Sequence, residues 1–110
     1  MKDSDTLIVF TTMPDLASAE ELAETLVTVK LAACVNVLPI MTSFYMWKDQ
    51  LERGTEHLLM IKTRSECYEA LANTIKDQHP YELPEILAIP VTSGLPDYLS
   101  WIRDNTRLTS

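Results

Sequence analysis

The chain has 110 residues, of which 46% are hydrophobic and 23% are charged, and its formal net charge is −7. This length predicts one domain, over residues 1–110, with enough apolar residues to form a core. The negative charge argues against a nucleic-acid partner, because binding to phosphates requires a basic surface. The first apolar run, Leu7 to Phe10, is too short for a signal peptide or a membrane span. We therefore expect a cytoplasmic protein with no membrane partner.

The first half of the chain begins with a predicted strand and a predicted helix. Thr6 to Thr12 is a continuous apolar strand, and Met13-Pro14-Asp15 ends it. Apolar residues from Leu16 onward recur at helical spacing, which predicts a helix that ends at about Lys30 or Leu31. Asp15 or Ser18 can cap this helix.

A long hairpin follows. Its first arm covers Ala32 to Trp47 with an interruption at Pro39, which requires a bulge or a sheet edge. Lys48-Asp49-Gln50 forms the turn, and Leu51 to Thr63 returns, with a second possible bulge at Gly54. Each arm is about 45 Å long at 3.3 Å per residue, whereas a domain of this size is roughly 30 Å across. The hairpin is therefore expected to overhang its own domain.

The outer part of the hairpin carries aromatic residues that are costly to expose to water. We expect this part to contact other copies of the chain, so that sheets join edge to edge in a homo-oligomer. The alternative is that the hairpin folds back on its own domain. The predicted interface residues are Phe44, Tyr45 and Trp47.

The second half of the chain predicts a helix capped by Ser65 and ending at Gln78-His79-Pro80. Glu85 to Val91 follows as a predicted buried strand, and Pro96 opens a short helix that ends near Asn105. The order βαββαβ plus a C-terminal helix predicts an α+β, ferredoxin-like sandwich. The two cysteines, Cys34 and Cys67, are too few for a disulfide framework, so we expect free thiols.

Polar groups gather just before the predicted strand at Glu85. His79, Tyr81 and the carboxylates of Glu82 and Glu85 should lie at its entrance. An imidazole with carboxylates gives a weak, exchangeable site for a borderline divalent ion. His57 follows Glu56 within a strand, so the two side chains point to opposite faces and cannot chelate one ion together.

An enzyme is not expected from this sequence. The chain has two glycines, which excludes the glycine-rich phosphate and dinucleotide loops. No serine, histidine and acidic residue form a recognisable nucleophile arrangement.

Several motifs together resemble the CutA family of divalent-cation-tolerance proteins. They are Cys34-Val35-Asn36-Val37 with Pro39, Ser43-x-Tyr45-x-Trp47, Glu56 with Lys62-Thr63, His79-Pro80-Tyr81-x-x-Pro84-Glu85-Ile86, Gly94, and Tyr98-Leu99-x-Trp101. The resemblance implies a ferredoxin-like homotrimer in which long hairpins complete sheets across subunits. It also implies a role in tolerance of divalent metals, chiefly copper. The positions of the copper ligands proposed in the family correspond here to Thr11, Gln78 and His79.

Two functions are expected on this basis. The first is a non-enzymatic trimer of copper tolerance that requires no cofactor and binds a divalent cation weakly through His79, Glu82 and Glu85. The alternative is a regulatory trimer, similar to the PII signalling proteins, that binds a small anionic effector or a protein partner in clefts between subunits. The residues expected to line such a cleft are Thr11, Trp47, Glu56, Lys62 and Tyr81.

Overall fold

A computed structural model describes residues 5–107. The elements are β1 (Thr6–Met13), α1 (Leu16–Thr28), β2 (Cys34–Val37), β3 (Met41–Trp47), β4 (Gln50–Arg64), a 3-10 turn (Ser65–Cys67), α2 (Tyr68–Gln78), β5 (Leu87–Pro90) and α3 (Pro96–Asp104). The strands form an antiparallel sheet in the order β2-β4-β1-β5, and β3 extends the sheet by pairing with β4. This arrangement confirms the predicted ferredoxin-like fold with a C-terminal helix.

The core lies between the sheet and helices α1 and α2. Alternate residues of β1 and β4, among them Val9, Leu59 and Ile61, are fully buried against Leu22 and Leu71 of the two helices. Because side chains alternate across a strand, the other residues of β1 and β4 point to the opposite face. Helix α3 packs on that second face through contacts with β1 and β4, and Ile8, Phe10 and Met60 on it are partly buried in the single chain.

Helix α1 is bounded by two defined caps. Asp15 accepts a hydrogen bond from the Ser18 amide, as predicted for an N-cap. At the other end, the Lys30 and Leu31 amides donate to the carbonyls of Val27 and Leu26. Lys30 has φ 65°, so this is a Schellman motif with lysine where glycine is usual. The helix therefore ends at Thr28, two residues before the predicted end.

The hairpin contains one bulge, and it lies where Pro39 predicted it. Val37 pairs with Leu59, but Met41 pairs with Glu56, so the first arm has one extra residue between these pairs. The predicted bulge at Gly54 is wrong, since Gly54 pairs regularly with Ser43. The turn is also tighter than predicted, because only Lys48 and Asp49, both with positive φ, separate the strands.

Two other predictions are corrected by the structure. Ser65 does not cap α2: it begins the 3-10 turn, and neither the turn nor the helix has a side-chain cap. The strand predicted as buried over Glu85 to Val91 is shorter, Leu87–Pro90, and all four of its residues are exposed. β5 is an edge strand, and a short apolar run does not by itself distinguish an edge strand from a central one.

The hairpin overhangs the domain as expected. The chain measures 45 × 27 × 23 Å, so its long dimension matches the predicted length of a hairpin arm. Several large apolar side chains are exposed along the hairpin and near β5, including Phe44, Met46, Leu51, Leu83 and Leu87. A single chain therefore leaves an unusual amount of apolar surface in contact with water.

Candidate functional site

A groove of about 770 Å³ lies between the hairpin and the loop that follows α2. The hairpin contributes an apolar and aromatic wall made by Met41, Phe44, Tyr45, Met46 and Trp47. The loop contributes the opposite wall, made by Pro80, Tyr81, Glu82, Leu83 and Glu85. Thr12, Ser43 and Glu56 complete the lining. The predicted polar cluster and the predicted aromatic patch therefore face each other across one groove.

His79 joins the loop to the end of β1. Its Nε2–H donates to the Thr12 carbonyl at 2.6 Å, while its Nδ1 accepts from the Tyr81 amide at 3.2 Å. These partners select the neutral tautomer with the proton on Nε2. Burial lowers the pKa of His79 from 6.5, against smaller opposing effects of the Thr12 bond and of Glu56. His79 is therefore a neutral structural link, with both ring nitrogens occupied.

Tyr81 joins the loop to the hairpin. Its phenol donates to a carboxylate oxygen of Glu56 at 3.1 Å, and its ring packs 4.7 Å from the imidazole of His79. Burial, followed by the negative charge of Glu56, raises the pKa of Tyr81 to about 12. Thr12, His79, Tyr81 and Glu56 thus form a continuous chain of hydrogen bonds and ring contact from the end of β1 through the loop to the hairpin.

Three carboxylates and no basic side chain occur among the lining residues. Glu56 lies on the hairpin side, and Glu82 and Glu85 lie on the loop side. Two basic side chains outside the lining lie over its aromatic rings: Lys48 is 5.8 Å from the Trp47 ring, and Arg53 is 5.7 Å from the Phe44 ring. The lining is therefore acidic and aromatic.

Two of the five predicted cleft residues are not in this groove. Thr11 is fully buried on the helix-covered face of the sheet, opposite Leu59. Lys62 is six residues from Glu56 along β4, or roughly 20 Å, and lies 5.7 Å from the ring of Tyr98. The predicted cleft lies between subunits, so the assignment of Thr11 and Lys62 to it stays a prediction. Trp47, Glu56 and Tyr81 do line the groove.

The predicted metal ligands do not form a ready coordination site in the single chain. Within residues 5–107, no three histidine, cysteine or acidic side chains are grouped so that they could hold an ion. Both nitrogens of His79 are engaged, and Thr11 and Gln78 replace the remaining ligand types that the resemblance implies. These residues do not fit a preformed high-affinity copper site. The set of His79, Glu82 and Glu85 stays a prediction.

His57 has a structural role that the sequence analysis did not find. Its Nδ1–H donates to the Leu38 carbonyl at 2.8 Å, within the bulge of the first arm. A bulge leaves backbone groups unpaired, and His57 satisfies one of them. The sequence held two hints of this role, Pro39 in one hairpin arm and a histidine in the other. Only the strand register shows that the two lie side by side. Both cysteines are free, as expected.

Comparison with known proteins identifies the family. The model of the family "CutA1 divalent ion tolerance protein" matches residues 7–105. The chain belongs to this family. The Protein CutA homolog of Xenopus laevis is 48% identical over 95 residues, 86% of this chain and 63% of the relative. The divalent-cation tolerance protein CutA of Yersinia pestis (strain Pestoides F) is 46% identical over 99 residues, 90% of this chain and 83% of the relative.

Solved structures of CutA1 proteins support the same assignment. The divalent cation tolerance protein (Cut A1) from Thermus thermophilus superposes with a TM-score of 0.91 at 39% identity, over 93% of this chain and 99% of that chain. The chain spans less than two thirds of the length of several curated CutA relatives, including the 63% for Xenopus laevis and 57% for Protein CutA of Mus musculus, which is 44% identical over 92% of this chain.

The compartments named for CutA relatives differ. One relative is the chloroplastic Protein CutA of Arabidopsis thaliana, 38% identical over 96% of this chain and 58% of the relative. One solved structure is of a periplasmic CutA from Archaeoglobus fulgidus, 38% identical with a TM-score of 0.88, over 91% of this chain and 97% of that chain. The cytoplasmic location expected here therefore stays a prediction. Among the helices described, none has the length and apolar character needed to cross a membrane.

Proposed function

We propose that this chain acts in divalent-cation tolerance as a non-enzymatic binding protein that holds a divalent ion, Cu(II) included, loosely at the groove. The ion would be bound by the carboxylates of Glu82 and Glu85, with His79 as a third ligand only when its two hydrogen bonds open. The observation that carries the proposal is a lining with three carboxylates and no basic side chain. Carboxylate ligands without a thiolate suit a weakly held, exchangeable ion. Membership of a tolerance family agrees with this role.

Calorimetric titration of copper chloride tests this proposal. The Glu82→Gln/Glu85→Gln variant should bind at least about tenfold more weakly than the wild type, a loss of about 1.4 kcal/mol. The matched control is Glu20→Gln/Glu24→Gln, which removes the same charge from helix α1, where both residues lie outside the groove lining. Equal affinity of the wild type and the groove variant would remove these carboxylates from the function. The electron paramagnetic resonance spectrum of bound Cu(II) shows hyperfine coupling to a nitrogen ligand. Loss of that coupling in His79→Gln would identify His79 as a ligand.

The working form in this proposal is a homotrimer. Phe44, Tyr45 and Trp47 are the predicted interface residues, and Phe44 is 65% exposed in the single chain. The strands β3 and β5 each have a free edge within the described sheet. Exposed apolar side chains beside free edges favour pairing with further copies of the chain.

The second candidate function is a regulatory module whose groove binds a small effector. Its support is the volume of about 770 Å³, which falls in the usual range of about 300–1,000 Å³ for small-molecule sites. The expectation of an anionic effector depended on Lys62, which lies about 20 Å from Glu56 along β4. For this groove we therefore propose an effector without negative charge, and the anionic effector expected in clefts between subunits stays a prediction.

A further inference from the structure

The two walls of the groove differ in chemistry, and a metal ion would bind to only one kind of side chain in them. One wall is aromatic and apolar, with Tyr45 and Trp47 on the same hairpin face as Glu56. The other wall presents Glu82 and Glu85 from the loop. An inorganic ion would contact only the carboxylates. The aromatic wall already attracts cations of the chain itself, since Lys48 Nζ lies 5.8 Å from the centre of the Trp47 ring and the Arg53 guanidinium lies 5.7 Å from that of Phe44.

Aromatic faces and carboxylates together recognise organic cations. The electron-rich face of tyrosine or tryptophan attracts an ammonium group, and methylene groups pack on the same rings. A carboxylate adds a charge-assisted hydrogen bond to the ammonium. An anionic ligand would instead meet three carboxylates with no basic lining residue to pair with it.

We propose that the groove binds a small aliphatic polyamine, with its ammonium groups on the carboxylates of the two walls and its methylene chain along Tyr45 and Trp47. The inference rests on the effector-binding candidate and supplies the chemical class of that effector. Carboxylates on both walls favour a ligand with at least two positive charges. The length of the groove wall from Met41 to Trp47 favours a chain over a compact single ammonium.

The hairpin can present this site within an assembly. The register places Tyr45 and Trp47 on the face that carries Glu56, while Phe44 and Met46 point to the opposite face. Phe44 and Met46 are each 65% exposed. Phe44 and Met46 also border the groove, and their side of the hairpin offers other subunits a contact surface separate from the face of Tyr45, Trp47 and Glu56.

Spermidine is the probe that tests this inference on the full chain. Trp101→Phe leaves Trp47 as the single tryptophan, because the chain has two. Titration of spermidine in the presence of EDTA should give a saturable change in Trp47 emission, and calorimetry on the wild type should give the same affinity. The uncharged 1,8-octanediol and sodium chloride at equal ionic strength should give no saturable change.

Matched variants assign the binding to the groove. Glu82→Gln/Glu85→Gln should weaken spermidine binding at least about tenfold, and Glu20→Gln/Glu24→Gln should leave it unchanged. No saturable response, or equal affinity in both double variants, would overturn the inference. Because EDTA removes divalent ions, the result is independent of the copper titration, so failure of the polyamine site and failure of the metal site are separate outcomes.

Discussion

Thr11 and Thr63 are two buried threonines on the same face of the sheet that differ in hydrogen bonding. Both are 0% exposed. The Thr63 hydroxyl donates to the Leu31 carbonyl at 2.6 Å, whereas the Thr11 hydroxyl has no partner within the described residues. Burying a hydroxyl without a hydrogen bond costs about 1–3 kcal/mol. The two residues should therefore respond in opposite directions to the same substitution.

Thr11→Val should raise the free energy of unfolding by about 1 kcal/mol, because valine fills the same volume without an unpaired hydroxyl. Thr63→Val should lower it by about 1–3 kcal/mol, since the Leu31 carbonyl loses its donor. Urea unfolding at one fixed protein concentration measures both changes. A loss of stability in Thr11→Val equal to that in Thr63→Val would contradict the assignment.

His79 makes stability depend on pH. Its folded pKa is lowered from 6.5 by burial, so the unfolded chain takes up a proton first as the pH falls. The stabilisation from neutral His79 is fully present above about pH 6.5 and is lost as the pH falls through the folded pKa. Thermal unfolding between pH 7.5 and 5.5 should show this decline in the wild type and a flatter profile in His79→Gln.

The exposed Glu20→Gln serves as the control for this pH profile and should keep the wild-type slope. Protonation of Nδ1 would also place two donors against each other, because the Tyr81 amide already points at that nitrogen. A profile in His79→Gln as steep as in the wild type would assign the decline to other groups.

For single residues, the sequence predicted where a side chain lies in the fold better than it predicted the hydrogen-bond partner of that side chain. His79 and Tyr81 were expected at the strand entrance, and they line or support the groove. The partner of His79 is the Thr12 carbonyl, 67 positions away in sequence, and such a contact depends on tertiary packing. The end of α1 was missed for a different reason, since Lys30 adopts the left-handed conformation that usually signals glycine.

The bulge in the first hairpin arm decides which aromatic residues share a face with Glu56. With the extra residue, Tyr45 and Trp47 share a face with Glu56. Without it, the register of β2 would continue through β3, and Phe44 and Met46 would take that face instead. Pro39 predicted that the strand is irregular there. Which side chains of β3 point to which face could be determined only from the register of β3 with β4.

His57 should stabilise this bulge through its bond to the Leu38 carbonyl. His57→Leu leaves that carbonyl without its side-chain donor and is expected to cost about 1–3 kcal/mol in free energy of unfolding. His57→Asn keeps an N–H donor near the position of Nδ1 and should recover part of the loss. Urea unfolding compares the three proteins, and equal stability of the leucine and asparagine variants would exclude this role.

The element order and the length of the hairpin were the most predictable features of the fold. Apolar periodicity located three helices and the strands, and the arithmetic of strand length gave the overhang that the 45 Å dimension confirms. The burial of β5 was not predictable, because a run such as Leu87–Pro90 reads alike in a central strand and in an edge strand.

The whole molecule exposes apolar surface at two places that a trimer would cover. These are the hairpin around Phe44 and the edge strand β5, where Leu87 is 60% exposed. Light scattering at micromolar concentration should give three times the chain mass of 12.5 kDa. Phe44→Asp should shift the population towards single chains, because burying an unpaired carboxylate at an interface is costly.

Leu16→Asp is the matched control for this experiment. Leu16 is also exposed, at 48%, but lies at the start of α1 and outside the hairpin. It should leave the mass unchanged. A wild-type mass equal to one chain would contradict the trimer, and equal dissociation by both substitutions would place the contact elsewhere.

The free edges of β3 and β5 in the described sheet have a practical consequence for how this protein behaves on dilution. If strands of neighbouring subunits pair with these edges, the fraction of assembled molecules depends on protein concentration. Molecules that are not assembled keep unpaired backbone N–H and C=O groups along β3 and β5. Measurements at nanomolar and at micromolar protein would then report on different species, and newly synthesised chains would be most vulnerable to proteases before they meet their partners.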